Sequence, residues 1–461
     1  MLRDWLERVA NVVPVLARQR TNAARALLPP DDLRALQRER LTRLVRHARA
    51  RSKFYRELYA DLPPGEVELE SLPVLTKDGM MAHFDDFVTD PRLKLAALSA
   101  HLQTVQGDER HLGEFRVMAS SGSSGRSAVY VYDRAAWREV IAATLRMGAM
   151  GGLAPRLPRR TRIATVAAPN ARHMTFRGGA SIDVGLYRTC RLSVLSPIDE
   201  LTRELDAYRP EFLFGYPSAL ARLADEQIAG RLHISPRSIT TSSEVRTDDM
   251  TERIERAWGV RPFNCLGLTE TGITAMDCRE HQGLHLFEDL CLYEVVDAAN
   301  RPVPSGAPGA KVLVTNLYNL VQPIIRFEVS DLVTVTDDPC PCGMTFRRIV
   351  ALEGRSDDIL ELPAAKGTGT VRVFPFRLRS AVGKEPAVVE YQITQEDAGL
   401  DVRVVLARDA ADETPARVER ALAAALAEDG ARVTLRVLPV EAIPREAGAG
   451  KLKLVRAARR G

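Results

Sequence analysis

The stretch VMASSGSSGRSAVY, Val117 to Tyr130, decides how the rest of the chain is read. At its centre Ser120, Ser121, Gly122, Ser123, Ser124 and Gly125 are serine and glycine alone, the composition of a flexible connector. The flanks argue against a connector. Phe115, Val117 and Met118 form an apolar lead-in, and Val129-Tyr130-Val131-Tyr132 is a β-branched and aromatic run. That pattern predicts a turn between two strands inside a packed domain. Such a turn points backbone N–H groups and hydroxyls into one concavity, which suits phosphate oxygens. A Walker A loop is excluded, because no Gly-Lys-Ser/Thr closes the segment. Taken alone, a plain hairpin turn is the commoner meaning.

The surrounding chain of 461 residues is long enough for more than one domain. Its 45% hydrophobic and 27% charged content is that of a soluble globular protein. Sixty-four basic residues face 60 acidic ones, and the basic residues cluster only at the end, KLKLVRAARRG from Lys451, so no nucleic-acid partner is expected. No apolar run reaches the roughly 20 residues of a membrane span, and residues 1–20 lack a signal-peptide core. Six cysteines in so long a chain do not make a disulfide scaffold. A cytoplasmic protein with no membrane partner is expected; self-association into a homodimer is left open.

Along the chain, residues 1–60 read as a helical lead-in, and Thr76 in LPVLTKDGM is placed to cap a helix. The middle alternates short buried strands, such as TRIATVAAP and EFLFGYPSAL, with amphipathic helices, such as DELTRELDAY and LARLADEQIA. This implies an α/β fold, with β-sheets covered by helices in a large N-terminal domain, residues 1–355. Past EGRSDDILEL the texture changes to two strands around an Asp-Ala-Gly turn, an alanine-rich helix and another strand. A small α+β domain over residues 356–461 is predicted, with a hinge near Asp357.

Four more segments bear on the opening question. NCLGLTETG carries Thr269 and Glu270, a hydroxyl beside a carboxylate, suited to phosphate and Mg²⁺. Asp331 in IIRFEVSDLV is placed to accept from ribose hydroxyls, Arg355 and Asp357 lie in EGRSDDIL, and Lys451 lies in a glycine-rich turn. Singly, each reads as ordinary surface. In this order, together with FGYPSAL, PIIRFEVSDL, CPCG, GRSDD and VFPF, they resemble the adenylate-forming ligases, in particular the phenylacetate–CoA ligase-like branch, from about Phe54 to the C-terminus.

The resemblance implies a role for each residue. Ser120 to Gly125 would hold ATP phosphates, with Arg126 where a lysine is usual. Ser243, Glu244 and Val245 would line adenine. Thr269 and Glu270 would serve phosphate and Mg²⁺, and Asp331 and Arg355 the ribose. Lys451 would bridge the carboxylate and the α-phosphate. The implied activity is ATP-dependent conversion of a carboxylic acid, aromatic or arylacetic, to an acyl-adenylate, followed by transfer to coenzyme A. An amine or a carrier-protein thiol is the alternative acceptor, because ILELPAAKGTGTVRVFP is longer than the usual turn after the hinge. The acid would be recognised around Tyr216, Pro217, Gly178 and Gly179, with the two glycines equally readable as a plain turn. Arg172, His173 and Arg177 suit a more polar acid or a solvated basic loop.

A second chemistry comes from cysteine and histidine spacing. Cys278 and His281 sit three apart, and Cys340 and Cys342 follow about sixty residues later. This set makes a Cys₃His site for structural Zn²⁺, with His285 as an alternative ligand. Cys190, Cys265 and Cys291 read as core residues.

Overall fold

The structure, a computed structural model, describes the chain apart from residues 1–20, 64, 66, 121–126, 154–158, 183–186, 398, 409, 447–448 and 459–461. The opening segment does lie between two strands: β1 (Arg116–Ala119) and β2 (Val129–Tyr132) pair antiparallel, with Ala119 opposite Val129. Both strands are almost wholly buried, as their apolar runs predict.

Parallel pairing dominates the next stretch. β3 (Thr161–Ala167), β4 (Tyr187–Ser193), β5 (Phe212–Gly215), β6 (Ser238–Ser242) and β7 (Phe263–Leu268) lie side by side, all parallel. Each crossover carries a helix: Met174–Ile182, Ile198–Tyr208, Pro217–Ile228 and Asp248–Trp258. Thr247 caps the last of these by accepting from the Met250 N–H, and Gly259, at φ 65°, ends it in the left-handed region. After a tight turn the sheet becomes antiparallel with β8 (Gly272–Asp277) and β9 (Leu284–Leu286). β10 (Cys291–Val296), β11 (Lys311–Asn316) and β12 (Phe327–Val329) form a separate three-stranded sheet. β13 (Asp331–Thr336) and β14 (Arg348–Arg355) then return, giving a nine-stranded order β13-β14-β9-β8-β7-β6-β5-β3-β4.

Helices Pro30–Arg51 and Lys53–Leu58 pack Leu44, Val45, Ala48 and Tyr55 into the core of the antiparallel half. Thr76 caps the helix Lys77–Ala82 through the Gly79 N–H at 3.1 Å, as the sequence predicts.

Beyond a single turn at Ser356–Asp358 the chain builds the hairpin β15 (Leu360–Pro363) and β16 (Thr370–Val373). A four-stranded sheet follows, β17 (Val388–Glu396), β18 (Gly399–Leu406), β19 (Thr434–Pro439) and β20 (Val455–Arg456), in the order β19-β18-β17-β20. The helix Thr414–Glu428 places Val418, Leu422 and Leu426 in a core shared with Leu360, Leu378, Ile393 and Val402. Ala221 and Met250, from helices of the parallel half, join that core. The C-terminal segment therefore docks against the face where β5 and β6 hand over to their helices.

Candidate active site

In an open parallel sheet, ligands gather at the carboxyl ends of the strands, where side chains and helix N-termini converge. Here Tyr216 follows β5, Ser243 to Val245 follow β6, and Thr269 and Glu270 follow β7. Two cavities open at this edge.

The first, about 290 Å³, is lined by Ser120, Ser243, Glu244, Val245, Thr269, Glu270, Asp331, Arg355, Asp357 and Lys451. Ten residues singled out from the sequence, scattered over more than 330 positions, thus meet in one cleft. Ser121, Gly122, Ser123, Ser124, Gly125 and Arg126 lie outside the described residues. Ser120 is anchored beside β2, its N–H donating to the Ala128 carbonyl and its Oγ accepting from the Ala128 N–H, both at 3.0 Å.

The turn between β7 and β8 is fastened at three successive carbonyls. Tyr132 Oη donates to Thr269 O at 2.7 Å, Asn316 Nδ2 to Glu270 O at 3.0 Å, and Tyr318 Oη to Thr271 O at 2.9 Å. Burial pushes both tyrosine hydroxyls well above their ordinary pKa, so they remain donors. Glu270 Oε1 takes a further bond from Tyr130 Oη at 2.6 Å. The turn is rigid and offers hard oxygen donors to the cavity, the donor set Mg²⁺ prefers.

Asp331 and Arg355 sit opposite each other at the ends of β13 and β14, with Nε 3.5 Å from Oδ1. Asp331 Oδ2 is buried and has no hydrogen-bond partner among the described residues. A ligand hydroxyl would satisfy it, which suits a ribose diol. The Asp331 carboxylate also holds the Arg355 pKa above its ordinary value.

Sequence reading missed Lys77, Arg379 and Lys453, three further cations in this cleft. Lys77 follows its helix-capping threonine, and Lys453 lies two residues after Lys451 in the basic C-terminal run, so both positions were available as signals; Arg379 has no such local mark. Phe327 and Leu266 supply apolar lining.

The second cavity, about 220 Å³, includes Gly178, Gly179, Phe212, Phe214, Tyr216 and Tyr187 in its wall. Of the four predicted acid-binding residues, Pro217 is not among them: it opens the helix Pro217–Ile228 at its first turn. Gly178 and Gly179 are helical, within Met174–Ile182, and do not form a turn. Arg177 is buried and serves the fold, donating to Ala171 O at 2.7 Å and Glu109 O at 2.9 Å, so neither the polar-acid contact nor the solvated loop describes it. His173 does line the cavity. Apart from His173 and Lys451, the described lining carries no ionisable nitrogen or carboxylate side chain.

The cavities share Ser243, Gly267, Leu268, Thr269 and Lys451. Lys451 stands at the junction and is half-buried. Its pKa is lowered, mainly by burial and also by Arg355, against the opposing pull of Glu446, Glu244 and Asp331. Glu244 borders the first cavity, but its carboxylate is turned away, accepting from the Ser218 N–H at 3.2 Å and the Leu452 N–H at 2.5 Å.

Away from this cleft, one atom each of Cys278, His285, Cys340 and Cys342 lies within 4.8 Å of the others. The histidine of the cluster is His285, not His281. His281 Nδ1 lies 2.7 Å from Asp277 Oδ2, and its ring packs on Phe263. His285, on β9, pairs with Arg348 of β14 and so faces the loop that carries the second cysteine pair. Its Nδ1 is 3.1 Å from Phe346 O, which makes that nitrogen the donor and leaves Nε2, 3.3 Å from Cys342 Sγ, as a ligand. Cys278 and Cys340 sulfurs stand 3.7 Å apart, close to the ~3.8 Å edge of a tetrahedron with Zn–S bonds of about 2.3 Å. Cys265 and Cys291 are buried as expected, and Cys190 is half-buried.

No family model matches the chain. Its fold is that of the adenylate-forming CoA ligases: it aligns with the crystal structure of 2-hydroxyisobutyryl-CoA ligase in the postadenylation state at TM-score 0.73, with 22% identity, covering 94% of this chain and 91% of that one. Against the same enzyme in the thioesterification state the TM-score is 0.59. In sequence the chain is similar to phenylacetate-coenzyme A ligases. It is 29% identical to that of Thermus thermophilus over 93% of this chain and 97% of the relative, and 27% identical to that of Escherichia coli over 82% and 83%. The resemblance first carried by the motifs therefore extends over nearly the whole chain. Among the described residues no helix is long and apolar enough to cross a membrane.

Proposed function

We propose that this chain is an AMP-forming acid–CoA ligase. The observation that carries the reading is the meeting of a charged cleft and a largely apolar cavity at Thr269 and Lys451. A carboxylate oxygen of the acid attacks the α-phosphorus of ATP, and the bond to the β-phosphate oxygen breaks, releasing pyrophosphate. The thiol sulfur of CoA, its proton lost, then attacks the acyl carbon, and AMP leaves with the carboxyl oxygen. In the first step two anions must approach, so fixed cations and oriented donors offset repulsion and developing charge.

Lys451 supplies a cation between the two anions, Asp331 and Arg355 orient the ribose, and Ser120 begins the phosphate loop. Bound Mg²⁺ would neutralise phosphate charge; Thr269 and Glu270 are the residues to hold it. The aromatic and aliphatic wall of the second cavity favours an aromatic or arylacetic acid, as do relatives named phenylacetate-coenzyme A ligase. Asp357, in the single turn between β14 and β15, is the hinge about which residues 356–461 would rotate to exchange Lys451 for CoA. Cys278, His285, Cys340 and Cys342 would hold a structural Zn²⁺ that ties the β8–β9 turn to the β13–β14 loop.

The test is pyrophosphate release across a panel of carboxylic acids, with and without CoA. A CoA thioester from at least one arylacetic or aromatic acid is expected. Pyrophosphate release with no thioester would redirect the second step to an amine or a carrier thiol. No release with any acid would sink the ligase reading.

A further inference from the structure

The loop that delivers Lys451 is gripped from both sides by the larger part of the chain. On one side Tyr216, directly after β5, donates its hydroxyl to Ala449 O at 3.1 Å and accepts from the Ala168 N–H at 3.4 Å. On the other, Glu244, directly after β6, accepts from the Leu452 N–H at 2.5 Å with one carboxylate oxygen and from the Ser218 N–H at 3.2 Å with the other. Between them Gly450 has φ 62°, and a Cβ there would lie 2.5 Å from Val194 Cγ1, so the backbone is seated directly on the loop after β4. The Glu244 side chain is only 4% exposed. A carboxylate so enclosed is tolerated while its donors are in place and is costly once they leave. Arg445 completes the arrangement, donating to Ser218 Oγ at 2.8 Å and Glu390 Oε1 at 2.7 Å, with Nη1 3.7 Å from Glu244.

Tyr216 also lines the acid cavity, as do Ala449 and Lys451. The loop is thus part of the wall that would surround the acid.

Building on the ligase reading, we propose that Tyr216 and Glu244 are positioning residues for Lys451: they clamp the backbone two residues before it and one residue after it, and so make closure of the acid cavity and placement of the lysine a single event. Neither side chain needs to touch the reacting atoms. The clamp acts only on the arrangement that forms the adenylate, because the second step requires the loop to leave.

The experiment uses the full chain as Glu244→Ala, Glu244→Gln and Tyr216→Phe variants. Hydrogen–deuterium exchange of the peptide spanning residues 445–455 reads the clamp without any substrate. Pyrophosphate release with phenylacetate and ATP reads the first step, and CoA thioester formation from supplied phenylacetyl-adenylate reads the second. Loss of a hydrogen bond to a charged group predicts roughly 10- to 100-fold slower pyrophosphate release and correspondingly faster exchange for Glu244→Ala, with thioester formation within about threefold. Glu244→Gln, whose amide oxygen still accepts from Leu452, should recover part of both readouts. Unchanged exchange at 445–455, or both steps falling in parallel, would overturn the proposal. Should Glu244→Ala lose its thermal transition, Glu244→Gln and Tyr216→Phe decide by the same readouts. Failure of the unmodified chain to release pyrophosphate with any acid would defeat the ligase reading instead, while the exchange measurement still decides the clamp.

Discussion

Replacing Lys451 with alanine removes the one cation that, among the described residues, borders both cavities. Its magnitude follows from its surroundings. An ammonium about 4 Å from a developing unit charge, at an effective dielectric of about 20, contributes ~4 kcal/mol. Removal of one preorganised donor to an oxyanion is typically worth ~2.7 to 4 kcal/mol, so the two arguments agree. At 1.36 kcal/mol per tenfold, pyrophosphate release should fall by roughly 10² to 10³. ATP should still bind, because Asp331, Arg355 and the β7–β8 turn are untouched. CoA thioester formation from a supplied acyl-adenylate should persist if, as proposed, the rotation about Asp357 withdraws the lysine before that step. The assay is therefore threefold: pyrophosphate release, nucleotide titration, and thioester formation from the adenylate. Near-normal pyrophosphate release by the variant would refute the reasoning. So would a loss confined to ATP binding, which would make Lys451 a nucleotide anchor without a role in the transition state.

Because burial lowers the Lys451 pKa, the protonated form is lost as pH rises through a value below that of an ordinary lysine. The kcat/KM for pyrophosphate release should fall on that alkaline limb, and an unchanged limb in Lys451→Arg would assign it to another group. Asp331→Asn removes the charge partner of Arg355 and one acceptor, so ATP affinity should weaken about 10- to 100-fold by calorimetric titration; unaltered affinity would remove Asp331 from the ribose contact. A Cβ at Gly178 meets nothing within 4 Å, so Gly178→Val should extend into the acid cavity and shift preference toward smaller acids without lowering thermal stability. An unchanged acid profile would place the acid elsewhere. Metal analysis of the purified protein should find about one zinc per chain, reduced in Cys342→Ser and His285→Ala but retained in His281→Ala; equal content in the two histidine variants would contradict the ligand set.

Much of this architecture was legible because local patterns agreed with the fold. TRIATVAAP and EFLFGYPSAL became β3 and β5, and the Thr76 cap formed where its spacing placed it. β17 and β18 pair antiparallel, with Glu396 opposite Gly399, and the alanine-rich run became the helix Thr414–Glu428. β6 was not legible, although it sits in the middle of the sheet. Its sequence SITTS carries one large aliphatic residue, yet all five positions are buried. Hydroxyls replace methyls there where they find partners: Ser238 Oγ donates to Gly151 O, Thr241 Oγ1 to Phe263 O and Ser242 Oγ to Cys265 O. Composition cannot announce such a strand, since its polar atoms are satisfied by chains distant in sequence.

Two residues at the candidate sites, His285 and Glu244, show the same physical cause at work. In the sequence, three-residue spacing from Cys278 suits a compact metal loop and favours His281 over His285. Gly283, at φ 112°, turns the chain so that β9 pairs with β14, and only that register carries His285 to the second cysteine pair. A Cβ at Gly283 would lie 2.5 Å from Ile349 O, so the close approach that sets the register itself depends on glycine. By its place in the chain Glu244 is expected beside adenine, and it borders the first cavity. Its carboxylate direction is set by Ser218 and Leu452, the second of them 208 positions away, and no local pattern around Ser243-Glu244-Val245 encodes that partner. In both cases the sequence names the chemistry, a soft ligand or a buried acid, while strand register and docking of the C-terminal segment choose what it faces. Residues whose partners lie on the same turn are therefore readable from order and spacing, as Thr76 is. Residues whose partners arrive by sheet pairing or docking require the fold before a role can be assigned.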